Sequence, residues 1–230
     1  HLQIAPGQFC ALLGPNGAGN STLFALLTRL FVAPQGRILL AGQDLARSPR
    51  AALAGLGVVF QQPTLDLDLT VRRNLLYFAA LHGLAGRAAE TRVAAALERL
   101  GMAERAREPV RALNGGHRRR MEIARALLHD PAVLLLDEPT ASVDANLRNQ
   151  IYQLLREVNA DMTIILVTHD LMAISSEVGK LACLNKKLVY HGEPELNESV
   201  VNELYGCPVD LIAHGVPHRV LKAHEEGSIK

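Results

Sequence analysis

The stretch GPNGAGNST, from Gly14 to Thr22, decides the fold because it joins an apolar run to an amphipathic one. The run before it, Phe9 to Leu13, has the character of a buried strand. After it, Ser21 to Phe31 places leucines at helical spacing, which predicts a helix with one apolar face that includes Leu30. The order of strand, loop and helix fits the pattern G-x-x-x-x-G-K-[ST], and the stretch matches it everywhere except at Asn20, where the pattern has lysine.

This loop has the chemistry of an anion site even though an amide replaces the lysine. The backbone N–H groups of such a loop meet the positive end of the following helix, so they favour a phosphate without a charged side chain. We therefore predict that the loop binds a nucleotide and that the Ser21 hydroxyl is a ligand of Mg²⁺. The residues assigned to the nucleotide are Asn16, Gly17, Ala18, Gly19, Asn20, Ser21 and Thr22. The alternative is a glycine-rich turn that binds nothing.

The rest of the pattern alternates strands and helices. Strands are predicted at Gly36–Ala41, which closes a small β region, and at Gly57–Phe60, Val133–Leu136 and Thr163–Thr168. Helices are predicted within Val71–Arg107, an all-helical insert, and at His117–His129, Leu147–Val158 and Leu171–Glu177. A hairpin, Leu181–Leu184 with Lys187–His191, a polar helix and an irregular tail follow. Such alternation predicts an α/β fold with a parallel sheet covered on both faces.

Two carboxylates follow the most apolar of these strands. Asp137 and Glu138 stand at its C-terminal end, where open α/β sheets bind their ligands. Asp137 can hold Mg²⁺ through a water molecule, and Glu138 can orient and deprotonate an attacking water. The alternative, a strand end capped by acidic residues, is weakened by the glycine loop earlier in the chain.

Composition excludes several classes of function. The 24 basic and 23 acidic side chains leave a net charge of +1, so no strong field attracts nucleic acid. Three widely spaced cysteines argue against a disulfide framework and for a reducing compartment. The apolar runs are too short to span a bilayer. We expect a cytoplasmic protein with no nucleic-acid partner and no direct membrane insertion, which acts at most peripherally at the inner face of the membrane.

Later motifs extend the glycine loop into a family pattern. The stretch LNGGH at Leu113–His117 and the run MEIARALLHDPAVLLLDEPTASVD resemble the nucleotide-binding domain of ABC transporters, whose signature loop usually reads LSGGQ. Gln61 matches the Q-loop, Ser142–Asp144 the D-loop and His169 the switch histidine. The resemblance implies a P-loop NTPase parallel-sheet core with a small antiparallel β region and an all-helical subdomain.

The resemblance also implies an organisation and a set of roles. Residues 1–70 and 108–192 form a RecA-like ATP-binding core, 71–107 a helical subdomain that leads into the signature loop, and 193–230 a C-terminal extension. Two ATP molecules lie between two cassettes, in a homodimer or a paired cassette, arranged head to tail. Gln61 senses Mg²⁺ and contacts transmembrane permease subunits, His169 holds the γ-phosphate, and Glu138 is the base. The residues that reach the nucleotide of the partner are Asn114, Gly115 and Gly116.

Departures from the family pattern predict weak hydrolysis. Asn20 removes the ammonium that neutralises the β- and γ-phosphates, while Asn114 and His117 replace the usual serine and glutamine. A nucleotide-binding but catalytically silent structural or regulatory cassette is therefore the alternative to an ATPase subunit. A third class, soluble cassette ATPases of translation or DNA repair, needs a second cassette or a coiled-coil insertion. The adjacent arginines, Arg118 to Arg120, are predicted to form an exposed helical turn.

The two halves of the chain suggest different transporters. Residues 1–160 resemble exporter-type cassettes, whereas the sequence after Leu171 resembles ATPase subunits of zinc and manganese uptake. Every Lys or Arg before residue 180 is arginine, while lysine appears from Lys180 onward, which either a chimera or chance with a basic tail would explain. A metal site is conceivable in the tail, although a tail that packs without metal is the preferred interpretation. Its residues would be Cys207, His214, His218 and His224.

Overall fold

The computed structural model describes residues 1–141, 143–169, 178–194, 198–205, 211–214 and 218–221. Its strands are β1 Phe9–Leu13, β2 Leu39–Leu40, β3 Gln43–Asp44, β4 Leu56–Val59, β5 Val133–Asp137, β6 Thr163–Thr168, β7 Lys180–Asn185, β8 Lys187–Gly192, β9 Leu211–His214 and β10 His218–Leu221. Its α-helices are α1 Asn20–Leu27, α2 Pro49–Ala54, α3 Val71–Leu81, α4 Gly86–Arg99, α5 Gly115–Leu127, α6 Ala145–Asn159 and α7 Glu198–Tyr205.

Six of the strands form one sheet in the order β4–β5–β6–β1–β7–β8. Neighbouring strands are parallel except for β7 and β8, which form the predicted antiparallel hairpin. Strand β1 is central and pairs with β6 from Phe9 opposite Ile164 to Leu13 opposite Thr168. Because the carboxyl ends of parallel strands meet at one edge, the loops that follow β1, β5 and β6 come together there. The predicted parallel sheet is therefore confirmed.

Both faces of the sheet are covered. Alternate side chains of β1 point to different cores: Phe9 and Leu13 belong to one, and Leu12 belongs to the other. Ile123 of α5 packs in the first core and Phe24 of α1 packs in the second. Burial on both faces explains why the strands read as nearly continuous apolar runs.

Helix α1 is shorter than predicted, since it ends at Leu27 rather than at Phe31. The Thr28 hydroxyl donates to the Phe24 carbonyl at 2.9 Å, and Arg29 then adopts a φ of 57°, which an α-helix cannot contain. The prediction that Leu30 lies on the apolar face of this helix is therefore wrong, because the helix ends before Leu30, which is 66% exposed.

The small β region is also reduced. Instead of a strand over Gly36–Ala41, the structure has the two-residue strand β2, paired antiparallel with β3. The turn between them places both Ala41 and Gly42 at positive φ, 46° and 79°, as a two-residue hairpin turn that matches strand twist requires.

The segment 71–107 contains α3 and α4, followed by a 3₁₀ turn at Ala103–Arg105. The Thr70 hydroxyl caps α3 by accepting from the Arg73 N–H at 3.3 Å. The two ends of the segment meet, because the Val71 N–H donates to the Glu108 carbonyl at 3.0 Å. The segment is thus helical, as its periodicity predicts, and closes on itself beside the sheet.

Candidate functional site

The glycine loop after β1 is held open by backbone conformations that favour glycine. Gly17 and Gly19 have φ values of 80° and 105°, and no atom lies within 4 Å of the place a Cβ would occupy on either. Gly14 is needed for a different reason, since a Cβ there would lie 2.5 Å from the Leu184 carbonyl oxygen. The loop is therefore a backbone cradle with space where side chains would otherwise stand.

Backbone hydrogen bonds fix the position of this cradle. The Ala18 N–H donates to the Pro15 carbonyl at 3.0 Å, and the Ala18 carbonyl accepts from the Lys186 N–H at 2.7 Å. At the start of α1, the Leu23 N–H donates to the Gly19 carbonyl at 2.8 Å. The loop is thus tied to the β7–β8 turn on one side and to the helix on the other.

Asn20 does not reproduce the missing lysine. Its Nδ2 lies 3.4 Å from the Gly14 carbonyl oxygen, within the loop itself. Its Oδ1 is buried and has no hydrogen-bond partner among the residues the structure describes. Asn20 therefore supplies no positive charge at this position, and only its amide nitrogen has a hydrogen-bond partner.

The carboxylates lie where β5 ends. Glu138 has a φ of 44°, and its N–H donates to the Val167 carbonyl on β6 at 2.9 Å. The Glu138 carboxylate accepts from the His169 N–H at 2.9 Å and lies 2.7 Å from His169 Nδ1. The Thr168 hydroxyl is a third, longer donor at 3.4 Å. The Glu138 carboxylate is thus held by Thr168 and His169, at and just after the end of the neighbouring strand β6.

Asp137 occupies a setting that disfavours its charge. Burial raises the pKa of this carboxyl, the adjacent Glu138 carboxylate raises it further, and the Arg119 guanidinium opposes both effects. A carboxylate that is partly desolvated beside another one gains from a cation, which is the environment of a metal ligand.

These elements enclose one cavity of about 260 Å³. Its lining residues are Gly14, Pro15, Asn16, Gly17, Gly19, Asn20, Ser21, Thr22, Gln61, Asp137, Glu138, Val167 and His169. The structure thus brings together most of the residues predicted for a nucleotide. Ala18 is 3% exposed and is not among the lining residues.

The donors around this cavity fit a magnesium ion. Ser21, Gln61 and Asp137 all line it, and their side chains carry oxygen ligands of the kinds that Mg²⁺ prefers. Ser21, Gln61 and Asp137 are therefore the residues that would hold Mg²⁺ here, where the ion would offset phosphate charge.

The signature loop lies away from this cavity. Asn114 caps α5, because its Oδ1 accepts from the His117 N–H at 2.8 Å, and neither Asn114 nor Gly115 is buried. Gly116 is buried against α6, where a Cβ would lie 2.4 Å from Leu147 Cδ2. Burial, with the charges of Arg105 and Arg120, lowers the pKa of His117. None of these residues lines the cavity of its own chain.

The prediction that the three arginines after the signature loop form an exposed turn is wrong for Arg119. Arg119 is 8% exposed and donates to four backbone carbonyls at the end of β5 and before Gln61. The signal that could have revealed it is helical phase, since Gly116, Arg119 and Ile123 share the buried face of α5.

Two sets of sequence predictions lie wholly or partly outside the described residues. Of the D-loop, Ser142 is outside them, and Asp144 caps α6 by accepting from the Leu147 N–H at 2.9 Å. The helix predicted at Leu171–Glu177 is outside them as well.

In the tail, Cys207 and His224 are outside the described residues, whereas the backbones of His214 and His218 pair across β9 and β10. Within the described ranges, no cluster of three or more metal-binding side chains is found.

A glycine cradle, a helix that starts inside it and two carboxylates at a neighbouring strand end define a P-loop nucleotide-binding protein. A family model described as "ABC transporter" matches residues 1–141. The chain belongs to the ABC transporter ATP-binding family, whose members are ATPases that bind ATP. The resemblance to ABC transporter ATP-binding domains, inferred from the signature loop and the carboxylate strand, is confirmed.

Similar proteins agree with this assignment. The chain is 34% identical over 221 residues to the Nod factor export ATP-binding protein I of Rhizobium etli, covering 95% of this chain and 69% of that protein. It is 41% identical over 169 residues to the protein of the same description from Paraburkholderia xenovorans, covering 73% of this chain and 56% of that one. The chain spans only part of the length of these relatives.

A solved structure has the same fold. CbiO1 from Clostridium perfringens, described as part of the ABC transporter complex CbiONQ, superposes with a TM-score of 0.78 at 29% identity. The match covers 89% of this chain and 82% of that one. In the part of the chain that the structure describes, every helix is too short or too polar to cross a membrane.

Proposed function

We propose that this chain binds Mg-ATP in a head-to-tail dimer and drives a transmembrane permease, with hydrolysis reduced by Asn20. The observation that carries the proposal is the single cavity in which the glycine loop faces Gln61, Glu138 and His169. Backbone donors for phosphate, oxygen ligands for a cation and a candidate base are the parts that phosphoryl transfer to water requires.

The carboxylate edge supplies the hydrolytic groups. Glu138 takes the role of general base, since it is 14% exposed and oriented by fixed donors. The contact of 2.7 Å between Glu138 Oε1 and His169 Nδ1 occupies one carboxylate oxygen. A histidine ring that turns toward the γ-phosphate would remove one of the two contacts of that oxygen and leave the one from the His169 N–H, so His169 would link nucleotide occupancy to activation of the base.

A dimer is proposed because the signature loop does not face the cavity of its own chain. Asn114 and Gly115 present the N-terminus of α5 to solvent, with the positive end of the helix dipole outward. A second cassette, placed head to tail, would bring that anion-binding end to the nucleotide of its partner. A chain of this family that remained monomeric would leave the loop without a ligand.

A surface for the permease lies next to Gln61. A groove of about 310 Å³ runs between β4, α3 and α5, and Phe60, Phe78 and Leu81 line it. Two large apolar side chains that line it remain exposed, Leu81 at 63% and Leu30 at 66%. Contiguous exposed apolar surface of this kind marks a protein contact. A permease seated here would hold the chain peripherally at the cytoplasmic face of the membrane.

Two hypotheses for this chain differ in the solute that its permease would transport. The relatives named for Nod factor export align over most of the chain and favour an exporter. The resemblance of the C-terminal part to zinc and manganese uptake subunits favours metal ion transport. Co-purification of the permease would decide between them, because its substrate cavity carries the solute chemistry.

The test of reduced hydrolysis is Asn20→Lys. Restoring an ammonium should raise the ATP hydrolysis rate by about 10²-fold or more, the scale of one electrostatic contact to a transition state. Asn20→Gln is the matched control, since it lengthens the amide without adding charge. ATP hydrolysis is measured together with binding of a fluorescent ATP analogue.

Each outcome has a separate meaning. Equal rates for parent and Asn20→Lys would show that the missing cation is not limiting. An increase in Asn20→Gln as large as that in Asn20→Lys would point to side-chain length instead of charge. Binding without hydrolysis in every variant would favour the catalytically silent cassette, which the unpaired Asn20 Oδ1 already supports. Absence of nucleotide binding in every variant would overturn the proposed function.

A further inference from the structure

We propose that Arg119 is a positioning residue that fixes the backbones of Gln61 and Glu138 relative to each other and joins both to the signature helix. The inference rests on the proposed ATPase function. It assigns to a side chain outside the nucleotide cavity the task of holding two groups that lie inside it.

The Arg119 guanidinium connects two segments that are distant in sequence. Its Nη1 donates to the Phe60 carbonyl at 2.6 Å, and its Nε donates to the Pro139 carbonyl at 2.7 Å. Its Nη2 donates to the Glu138 carbonyl at 2.7 Å and more weakly to the Asp137 carbonyl at 3.3 Å. Four of the five guanidinium N–H directions are thus directed at backbone oxygens.

These carbonyls belong to the peptide planes that carry the catalytic residues. A peptide unit is rigid, so fixing the Phe60 carbonyl also fixes the N–H of Gln61. Fixing the Asp137 and Glu138 carbonyls in the same way sets the planes on both sides of Glu138. One planar side chain therefore sets the distance between the backbones of the Q-loop residue and the candidate base.

The conformation of Glu138 requires such support. Glu138 is a non-glycine residue with a φ of 44°, a left-handed conformation. Strained backbones of this kind persist where the surroundings over-determine them. The Arg119 guanidinium holds the main-chain carbonyl of Glu138, and the N–H of His169, the residue after β6, holds its carboxylate.

Arg119 also links the position of the signature loop to the geometry of the cavity. It lies on α5, five residues after the capping residue Asn114, and it is buried against the sheet. A shift of α5 at its signature end would move the guanidinium and with it both catalytic backbones. The loop that is proposed to meet the nucleotide of the partner is thus coupled to the base in its own chain.

The neighbouring arginines provide an internal contrast. Arg120 donates to the Leu100 carbonyl at 3.2 Å and to Gln150 Oε1 at 2.6 Å, which are contacts to the helical segment and to α6. Arg118 donates to the carbonyls of Val110 and Arg111. Neither of these arginines hydrogen-bonds to the end of β5 or to the Q-loop. Each therefore has the same side chain as Arg119 but does not join those two segments.

The experiment compares Arg119→Lys with Arg120→Lys in the Asn20→Lys background. A lysine keeps the charge but cannot reach four carbonyls with one ammonium. We expect Arg119→Lys to lower kcat by about 10–100-fold, the scale of removing a supporting contact behind a functional group. Affinity for the fluorescent ATP analogue should change by less than about threefold, because the phosphate donors are untouched. Arg120→Lys should keep the kcat of the background.

Hydrogen exchange gives a readout that does not depend on activity. We expect faster amide exchange in peptides that cover residues 58–64 and 136–141 in Arg119→Lys but not in Arg120→Lys. If Arg119→Lys does not fold, Arg119→Gln takes its place, since it keeps two donors without the buried charge. Thermal unfolding of each variant shows which of them is folded.

The outcomes separate this inference from the proposed function. If the background enzyme hydrolyses ATP and Arg119→Lys retains its kcat, the inference is overturned and the ATPase function stands. A loss of nucleotide affinity as large as the loss of kcat would overturn positioning in favour of a general structural role. If no variant binds ATP, the proposed function fails, and equal exchange in the two lysine variants would overturn the inference on its own.

Discussion

The two edges of the nucleotide cavity differ in how completely their groups are held. At the carboxylate edge, Glu138 is bonded through its side chain to Thr168 and His169 and through its main chain to Arg119. At the loop edge, the backbone cradle is intact, but Asn20 leaves a buried oxygen without a partner in the described structure. Among the residues that line this cavity, the departure from the family pattern is therefore confined to Asn20.

This difference has an electrostatic consequence. Among the described residues that line the cavity there is no lysine or arginine, whereas Asp137 and Glu138 contribute two carboxylates. A triphosphate bound there would be balanced by backbone dipoles and by a cation on the predicted Mg²⁺ ligands. Substrate binding should therefore depend on the cation more steeply than in a cassette that keeps its lysine.

The variant with the largest expected effect tests whether the carboxylate edge is functional once Asn20→Lys restores the lysine of the loop. In the Asn20→Lys background, Glu138→Gln should lower the hydrolysis rate by about 10²–10⁴-fold, because the amide cannot accept a proton from water. The amide keeps a hydrogen-bonding oxygen for His169, so nucleotide binding should persist. Steady-state ATPase and light scattering at saturating Mg-ATP are the measurements, and a stabilised ATP-bound dimer is expected.

The control for this variant is Glu157→Gln, the same substitution at an exposed position on α6. Glu157→Gln should leave the rate of the background unchanged. Hydrolysis that survives in Glu138→Gln would remove Glu138 from the role of base. A monomer at saturating Mg-ATP would argue against the head-to-tail dimer.

The second effect concerns the cradle itself. Gly14→Ala should destabilise the fold by about 1–3 kcal/mol, because the added Cβ would meet the Leu184 carbonyl oxygen, a backbone atom that cannot rotate away. For a domain of this size each kcal/mol corresponds to about 2–4 °C in Tm. Gly115→Ala is the matched control, since no atom lies within 4 Å of a Cβ there.

Thermal unfolding without nucleotide measures this directly. Gly115→Ala should be neutral or slightly stabilising, because alanine restricts the unfolded chain at a helical position. If Gly14→Ala and Gly115→Ala have the same Tm, the close approach between the loop and β7 is not a constraint on the fold. The loop edge would then be less tightly built than its geometry indicates.

The sequence predicted the loop edge and the carboxylates well because both depend on local pattern. Phe9–Leu13, the glycines and the run that ends at Asp137 each follow rules of strand, turn and periodicity that act within a few residues. Parallel strands then bring their ends together without further information. The shared cavity of Ser21 and Asp137 could therefore be foreseen.

The predictions that were wrong depend on how one element is oriented against the rest of the fold. Three consecutive arginines read as a solvated turn, and only the phase of α5 against the sheet shows that Arg119 enters the interior. Leu30 continued the helical spacing of α1, but the positive φ of Arg29 ended the helix first. The contact of the Asn20 amide with the Gly14 carbonyl likewise requires the folded loop, because Gly14 lies six residues earlier, beyond the local patterns in which Asn side chains bond to nearby backbone.

The smallest expected effect asks whether the acid sensitivity of the fold arises at the cavity or at the opposite end of α5. There His129 stacks on His82 with ring centroids 3.9 Å apart, and His129 Nε2 lies 3.2 Å from the Leu56 carbonyl oxygen. Burial, followed by the charge of His82, lowers the pKa of His129, although the Leu56 carbonyl and Asp130 oppose this. Burial, followed by the charge of Arg125, lowers the pKa of His82.

Since the folded state binds the proton of His129 less readily than the unfolded state does, stability should be complete above the ordinary histidine pKa and should fall as the pH drops below it. His129→Gln keeps a polar side chain that does not titrate, so it should flatten the fall of Tm between about pH 7.5 and pH 5.5 by a few degrees at most. His191→Gln, at an exposed position on β8, is the matched control and should keep the slope of the parent. An unchanged slope in His129→Gln would show that the acid-sensitive group lies elsewhere, with the cavity edges as candidates. A flatter slope with unaltered nucleotide affinity would separate the stability of α5 from the chemistry that Arg119 is proposed to support at the other end of this helix.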